Sequence, residues 1–360
     1  MQKFTRVFQE LPDPRAENAR HDLTEILVIA LAAVLCGAEG CADMADFGEA
    51  KEGLLRQFLR LEHGIPSHDT FSRVFRILDP VSFEAAFREF MAVFAEQIKG
   101  VVSIDGKALK GAFERGRKTT PLHLVNVWAA DARLAIAQYV APNRNEVAGT
   151  LEVLKLLSLK GCVVTADALH CHAAMAQAIL DREADYVLAL KENQSALFAD
   201  ATALLEPVAH QIEDVLDSSH GRAEERRASV VSAAALAKKH GFPGIRAVGR
   251  VELRRRVGNT EDPPVVRYFL LSKAFSPTRL LAITRSHWSI ENQLHWVLDV
   301  VFDEDRARNR KDHGPENIAV LRKLALNLLR SNPDKASIRR KIKRAGWDDT
   351  FLLTLLGQMR

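Results

Sequence analysis

Cysteine is scarce: Cys36, Cys41, Cys162 and Cys171 are the only four in 360 residues, and all sit among apolar or small neighbours. That excludes a disulfide framework and fits a reducing cytoplasm. Long apolar runs are missing as well. The longest, Ile26 to Ala38, covers 13 residues, whereas a bilayer crossing takes ~20. No basic, apolar-cored leader opens the chain. Internal repeats and low-complexity stretches are also absent, so a soluble, internal protein is expected.

What is present reads as globular. Hydrophobic residues make up 47% and charged residues 27%, values that rule out disorder as the dominant state. Single cores rarely exceed ~250–300 residues, so two or three units are expected. The formal charge is only +4, but it is unevenly spread. Arg306 to Arg344 holds 13 Lys/Arg against 3 Asp/Glu, and Arg222 to Arg256 holds 10 against 3. An acidic body with two basic arms suits a polyanionic partner.

The first hundred residues have helical periodicity. His21-Asp22-Leu23-Thr24 opens a helix through Ile26–Leu35, which ends at Gly37 and Gly40. Ser67 caps the helix bearing Phe71, Val74, Phe75 and Leu78, which stops at Asp79-Pro80. Phe83, Phe87, Phe90 and Phe94 then form the core stripe of another helix. At Val101 the pattern changes to strands: Val101–Asp105, Leu122–Ala130 and Leu134–Val140. A helix follows at 145–159, a strand at Cys162–Asp167, a helix at 172–182 and a strand at Asp185–Leu190. The order βββαβαβ predicts a mixed sheet with helices on its faces, the element order of a ribonuclease H-like fold. After a helix at Ser195–Leu205, Arg-rich strands Ala247–Val257 and Val265–Ser272, joined by the turn 258–264, form a β-rich insertion. A long helix is expected from Pro277 to Phe302, then a basic helical tail. The expected units are 1–98 (helical, DNA-binding or dimerising), 99–207 and 276–330 (catalytic core), 208–275 (insertion) and 331–360 (tail).

Two aspartates, Asp105 and Asp167, close apolar strands in similar contexts, Val-Val-Ser-Ile-Asp and Val-Val-Thr-Ala-Asp. An unpaired carboxylate is costly to bury, which places both at a sheet edge; taken alone, either one reads more readily as a turn-starting residue. Glu291 interrupts an apolar helix face, with Trp288 and Leu294 three residues away and His287 and His295 four away. Three carboxylates brought together need a cation or a proton. Oxygen ligands suit Mg²⁺, with Mn²⁺ as a substitute, and a pair of such ions serves phosphodiester cleavage or transfer. His170-Cys171-His172 lacks the spacing and partners of a zinc site.

At these residues the sequence resembles the aspartate-aspartate-glutamate (DDE) transposases of bacterial insertion sequences, of the H-repeat-associated type. The likeness rests on the segments 31–40, 64–71, 104–107 and 185–191, and above all on His287-Trp288-Ser289-Ile290-Glu291-Asn292 continuing through Leu294-His295-Trp296 and Leu298-Asp299-Val300. It implies a ribonuclease H-like α/β core, preceded by an all-helical domain and interrupted by the β-rich insertion. Asp105, Asp167 and Glu291 would be both catalytic and metal-binding. Many relatives place Tyr and Arg seven and four residues before the Glu and Lys seven after it; this chain has Thr284, His287 and Leu298 there.

The resemblance further implies a Mg²⁺-dependent enzyme that cuts and joins double-stranded DNA, both element ends and target, as a homodimer in the synaptic complex. It would be cytoplasmic and nucleoid-associated, with no membrane contact. Expected DNA contacts are Lys107, Lys110, Lys191, Arg254, Arg255, Arg256, Arg285, His287, Trp288, His295, Arg339, Arg340 and Lys341, with Arg322, Lys323, Lys343 and Arg344 in the same basic clusters. Two other readings are a catalytically idle, domesticated DNA-binding protein and a ribonuclease H-like nuclease that cuts without joining.

Overall fold

Strand-forming segments, the central ones buried almost throughout, build one ten-stranded mixed sheet in the computed structural model, which describes residues 2–95, 98–112, 121–218, 222–257 and 260–358. The strands are β1 (Val101–Leu109), β2 (Leu122–Ala129), β3 (Leu134–Val140), β4 (Val163–Ala166), β5 (Asp185–Leu190), β6 (Ile212–Ser218), β7 (Arg222–Ser232), β8 (Ala247–Val257), β9 (Thr260–Glu261) and β10 (Val265–Leu271). Their order is β3-β2-β1-β4-β5-β10-β8-β7-β6, with β9 beside β8. β1 pairs antiparallel with β2 and parallel with β4, and β4 pairs parallel with β5. This is the ribonuclease H-like half. The insertion continues the same sheet, because β10 pairs antiparallel with β5.

β6, β7 and the helix Ala234–His240 were not foreseen. β6 carries Glu213, Asp214 and Asp217, β7 mixes Arg with Glu over residues 222–227, and charges pair across strands: Arg227 with Glu213 at 3.1 Å and Arg255 with Glu224 at 2.9 Å. Strand faces closed by ion pairs hide the apolar alternation that marks a strand. The side chain of Phe94 and the first two residues of the expected 258–264 turn lie outside the described residues. The expected Pro277–Phe302 helix is three pieces: Pro277–His287, a π-helical stretch Ile290–His295, and Trp296–Val301. Neither Pro nor Gly marks the interruption; instead it falls where side chains bond to the sheet beneath.

Among the N-terminal helices, Leu23–Leu35 is buried on nearly every face and is capped by Asp22, which accepts from Glu25 N at 2.9 Å. An all-round apolar helix needs partners on all sides. Here they include the helices Cys41–Ala50, Gly314–Ser331, Ile338–Trp347 and Asp349–Gly357. Ser67 caps His68–Ile77, accepting from Thr70 N, and Phe71, Val74 and Phe75 face inward. The Gly314–Ser331 helix joins this layer to the sheet. Its Asn327 accepts from Ala135 N at 3.0 Å and donates to Ala135 O at 2.7 Å, occupying part of the edge of β3. Its Lys323, fully buried, donates to Gln138 Oε1 at 2.6 Å, and Gln138 Nε2 donates to Glu84 at 3.1 Å. No helix among the described residues is long and apolar enough to cross a membrane.

Burial pushes the Glu84 carboxyl up to about 8 from its usual 4.5. A group whose pKa rises on folding stabilises the fold below its unfolded pKa, and that contribution is lost as pH climbs through the folded value. Wild type should therefore lose roughly 2–4 kcal/mol relative to Glu84→Gln between about pH 5 and 8.5 in chemical denaturation. A pH-independent difference between the two would contradict this account.

Candidate active site

β4 is short, and its pairing with β1 stops at Ile104 opposite Ala166. Asp105 and Asp167 come next on the two strands. Asp105 does not end its strand, as the sequence suggested, since β1 runs on to Leu109. The open edge is made by β4 stopping first. Asp105 Oδ1 accepts from Gly106 N at 3.0 Å, and Asp167 Oδ1 accepts from Leu169 N at 3.0 Å, so both carboxylates are held by local backbone.

The third carboxylate arrives on the interrupted helix, which crosses this face of the sheet and is tied down at four places. His287 Nδ1 lies 3.0 Å from Thr165 Oγ1, and Trp128 Nε1 donates to Ser289 Oγ at 2.8 Å. His295 Nε2 lies 3.2 Å from Asn126 Nδ2, and Lys107 Nζ donates to Asp299 at 2.5 Å. Ile290, Leu294 and Leu298 are fully buried beneath it. Asp105, Asp167 and Glu291 consequently line one cavity of about 280 Å³, together with Thr165, Lys191, Arg267, His287 and Trp288.

Burial, followed by the charges of Glu291 and Asp167, pushes Asp105 up to about 8. His295 beside Glu291 holds that carboxyl below its ordinary value. Unless a cation joins it, Asp105 keeps a proton at neutral pH, so the donor set fits a divalent ion. Among the described residues, the groups close enough to share one ion are Asp105, Glu291 and His295, with ligand atoms all within 4.8 Å of one another. Asp167 lines the same cavity.

Comparison with known proteins gives the family. Residues 5–91 match the family described as DDE_Tnp_1-associated, and residues 96–328 match the Transposase DDE domain. The chain belongs to the DDE transposases. It is 31% identical over 370 residues to the H repeat-associated putative transposase YhhI of Escherichia coli (strain K12), covering 99% of this chain and 98% of that one. It is 40% identical over 280 residues to an uncharacterized protein in the dhlA 3′ region of Xanthobacter autotrophicus, covering 75% and 94%. It is also similar, at TM-score 0.43 and 13% identity over 98% of this chain and 77% of the other, to the piggyBac transposase synaptic complex with hairpin DNA. DDE transposases generally use divalent metal ions, and the H-repeat type is the branch to which this one belongs.

Several residues expected to touch DNA lie elsewhere in the transposase. Lys107 is buried, ion-paired with Asp299 and 3.7 Å from both Glu304 and Asp305. It ties β1 to the Glu291 segment instead of facing phosphate. Lys341 is 4% exposed and donates to Leu329 O and Asn332 O at 2.8 Å, satisfying the free carbonyls at the end of the Gly314–Ser331 helix. Arg322 and Lys323 are buried as well. His295 is 5% exposed, wedged between Asn126 and the carboxylates. Burial lowers His287 to about 4, leaving it uncharged at neutral pH.

Others are at the surface, many already paired. Lys110 pairs with Asp305 at 2.9 Å, Arg254 with Glu252 at 2.7 Å and Arg285 with Asp214 at 2.6 Å. Lys191, Arg256 and Arg340 are exposed, as is Arg339, which donates to Val300 O. Trp288 is exposed at the cavity mouth, with the Arg267 guanidinium 4.7 Å from its ring centre.

Three residues at the site escaped the sequence reading. Arg267 carries no signal beyond membership of a strand. Asn126, fully buried in the apolar run Val125-Asn126-Val127, is a polar anomaly that could have been noticed. His170 was read only as part of a rejected zinc cluster; it is 1% exposed, with neither ring nitrogen hydrogen-bonded and Nε2 3.9 Å from Asp167.

Lys107→Met leaves Asp299, Glu304 and Asp305 without their shared cation. The expected loss is about 3–5 kcal/mol of stability in urea unfolding, with part of it recovered in Lys107→Met/Asp299→Leu. An unchanged midpoint for the single variant would mean that Lys107 is not the tie between β1 and the Glu291 segment.

Proposed function

We propose that this transposase binds the terminal inverted repeats of an insertion sequence as a homodimer, nicks the phosphodiester bonds there and joins the freed 3′ ends to target DNA. What carries the reading is the convergence of Asp105, Asp167 and Glu291 on one open cavity, with Asp105 pushed up to about 8 by burial and by the charges of Glu291 and Asp167. In this reading the three carboxylates hold divalent ions, Mg²⁺ or Mn²⁺. Bound there, such ions supply activation of the attacking hydroxyl and charge stabilisation at the leaving oxygen. The chain's own part is to hold the carboxylates in register on β1, β4 and the Glu291 segment. Lys191, Arg267 and Trp288 line the cavity wall where the strand end would enter. No covalent enzyme intermediate is required.

End recognition is assigned to the helical region 1–98, with His68–Ile77 presenting Arg73 to solvent. Phosphate binding without sequence preference is assigned to the exposed Arg339 and Arg340. Every phosphate that a variant leaves without its cation should flatten the dependence of log affinity on log salt by about 0.9. Arg339→Gln/Arg340→Gln should therefore lower the slope by about 1–2 in gel shifts over a salt series. An unaltered slope would remove the tail from the interface.

Asp105→Asn, Asp167→Asn and Glu291→Gln keep side-chain shape and lose charge. Each should slow Mg²⁺-dependent nicking and joining of an end-containing duplex by at least ~10²–10³, while gel shifts of that duplex in Ca²⁺ stay close to wild type. Wild-type rates from Glu291→Gln would mean that the third carboxylate lies elsewhere. Asp303 would then be tested first, since Asp299 is committed to Lys107.

A further inference from the structure

His295 has no place in a carboxylate-only site, yet it is buried against two of the carboxylates of this one. It is 5% exposed. Its Nδ1 stands 3.6 Å from Asp105 Oδ2 and 3.5 Å from Glu291 Oε2. These separations are long for hydrogen bonds, which run about 2.7–3.2 Å. They are in the range of ligands sharing one ion at about 2.0–2.2 Å from each.

The other ring nitrogen decides what Nδ1 can do. Nε2 faces Asn126 Nδ2 at 3.2 Å, and with that amide orientation Nε2 accepts, so the ring proton sits on Nδ1, toward the carboxylates. Little else secures that orientation, because Asn126 Oδ1 is buried without a hydrogen-bond partner. Turning the amide by half a revolution presents Oδ1 to Nε2, which then carries the proton and donates it. Nδ1 is left with a bare lone pair aimed between two carboxylate oxygens. That arrangement is repulsive on its own and favourable around a cation. A ligating histidine whose second nitrogen is fixed by a neighbouring amide or carbonyl is a recurrent metal-site device.

We infer that His295 is a nitrogen ligand, through Nδ1, of the ion held by Asp105 and Glu291, with Asn126 selecting the ligating tautomer, and that the site consequently prefers a transition-metal dication such as Mn²⁺ to Mg²⁺. Imidazole adds affinity along the whole first-row series, least for Mn²⁺ and more for Fe²⁺ to Zn²⁺, and adds little for Mg²⁺, which favours oxygen. This rests on the reading that Asp105 and Glu291 bind a divalent ion.

The test uses the full-length protein without DNA, titrated with Mn²⁺ alone. Continuous-wave electron paramagnetic resonance reads affinity, and pulsed measurements read coupling to imidazole ¹⁴N. Wild type should show that coupling, and His287→Gln should keep it. His295→Gln should lose the coupling and bind Mn²⁺ about 10–100-fold more weakly, while Mg²⁺ affinity measured by competition changes less than about threefold. Asn126→Leu should weaken Mn²⁺ binding and retain the coupling. Mn²⁺ bound in wild type without nitrogen coupling overturns the inference, whether or not the His295 variant folds. A different failure, Mn²⁺ binding unaltered by Asp105→Asn and Glu291→Gln, would overturn the carboxylate-site reading itself.

Discussion

Repulsion among carboxylates is the constraint around which the centre of this molecule is built. Asp105 and Glu291 bring ligand atoms within 4.8 Å, where the two charges, once both carboxyls are ionised, oppose each other by about 3–4 kcal/mol at an effective dielectric of ~20. Asp167 adds to that. The opposing force is the attachment of the Glu291 segment to the sheet. Ile290, Leu294 and Leu298 are fully buried under it, worth about 1.5–3 kcal/mol each, and the bonds from His287, Ser289, His295 and Asp299 to the sheet set its register. The π-helical stretch lies between the first and last of these anchors. A wider turn of this kind is common where a helix must aim side chains at a functional site.

Internal pairing also governs several of the basic residues. Lys107, Arg322, Lys323 and Lys341 look from composition like phosphate-binding charge, yet each is turned inward. Lys341 closes a helix end, Lys323 meets Gln138, and Lys107 neutralises a group of acids that would otherwise push the Glu291 segment off β1. Inward cations of this sort cost desolvation and return geometric definition: a helix that must satisfy Lys323 or Asn327 against β3 has few alternative registers. The basic surface left exposed is smaller than the charge count suggests, and includes Lys191, Arg267, Arg339 and Arg340.

The insertion also belongs to the catalytic unit. β10 continues the sheet from β5 and places Arg267 against Trp288, while Asp214 on β6 pairs with Arg285 near the end of the Pro277–His287 helix. A segment that interrupts the core in sequence becomes one wall of the cavity in space, which explains how a separation of 124 residues between Asp167 and Glu291 is spanned without a loose domain.

The local sequence determined the elements whose causes are local. Asp22 and Ser67 cap helices, β3 and β5 run over the expected residues, and two apolar strands each lead into an aspartate. The family motif around Glu291 named the third carboxylate. Tertiary structure decided the rest. Whether a lysine faces solvent depends on which acids the fold gathers around it, and those acids lie nearly two hundred residues from Lys107. β6 and β7 were hidden because their charges are satisfied across strands, and the break in the helix because its cause lies in Thr165, Trp128 and Asn126 below it. His295 and Asn126 are 169 positions apart, so the meeting that sets which ring nitrogen faces the carboxylates exists only once the sheet and the helix have come together.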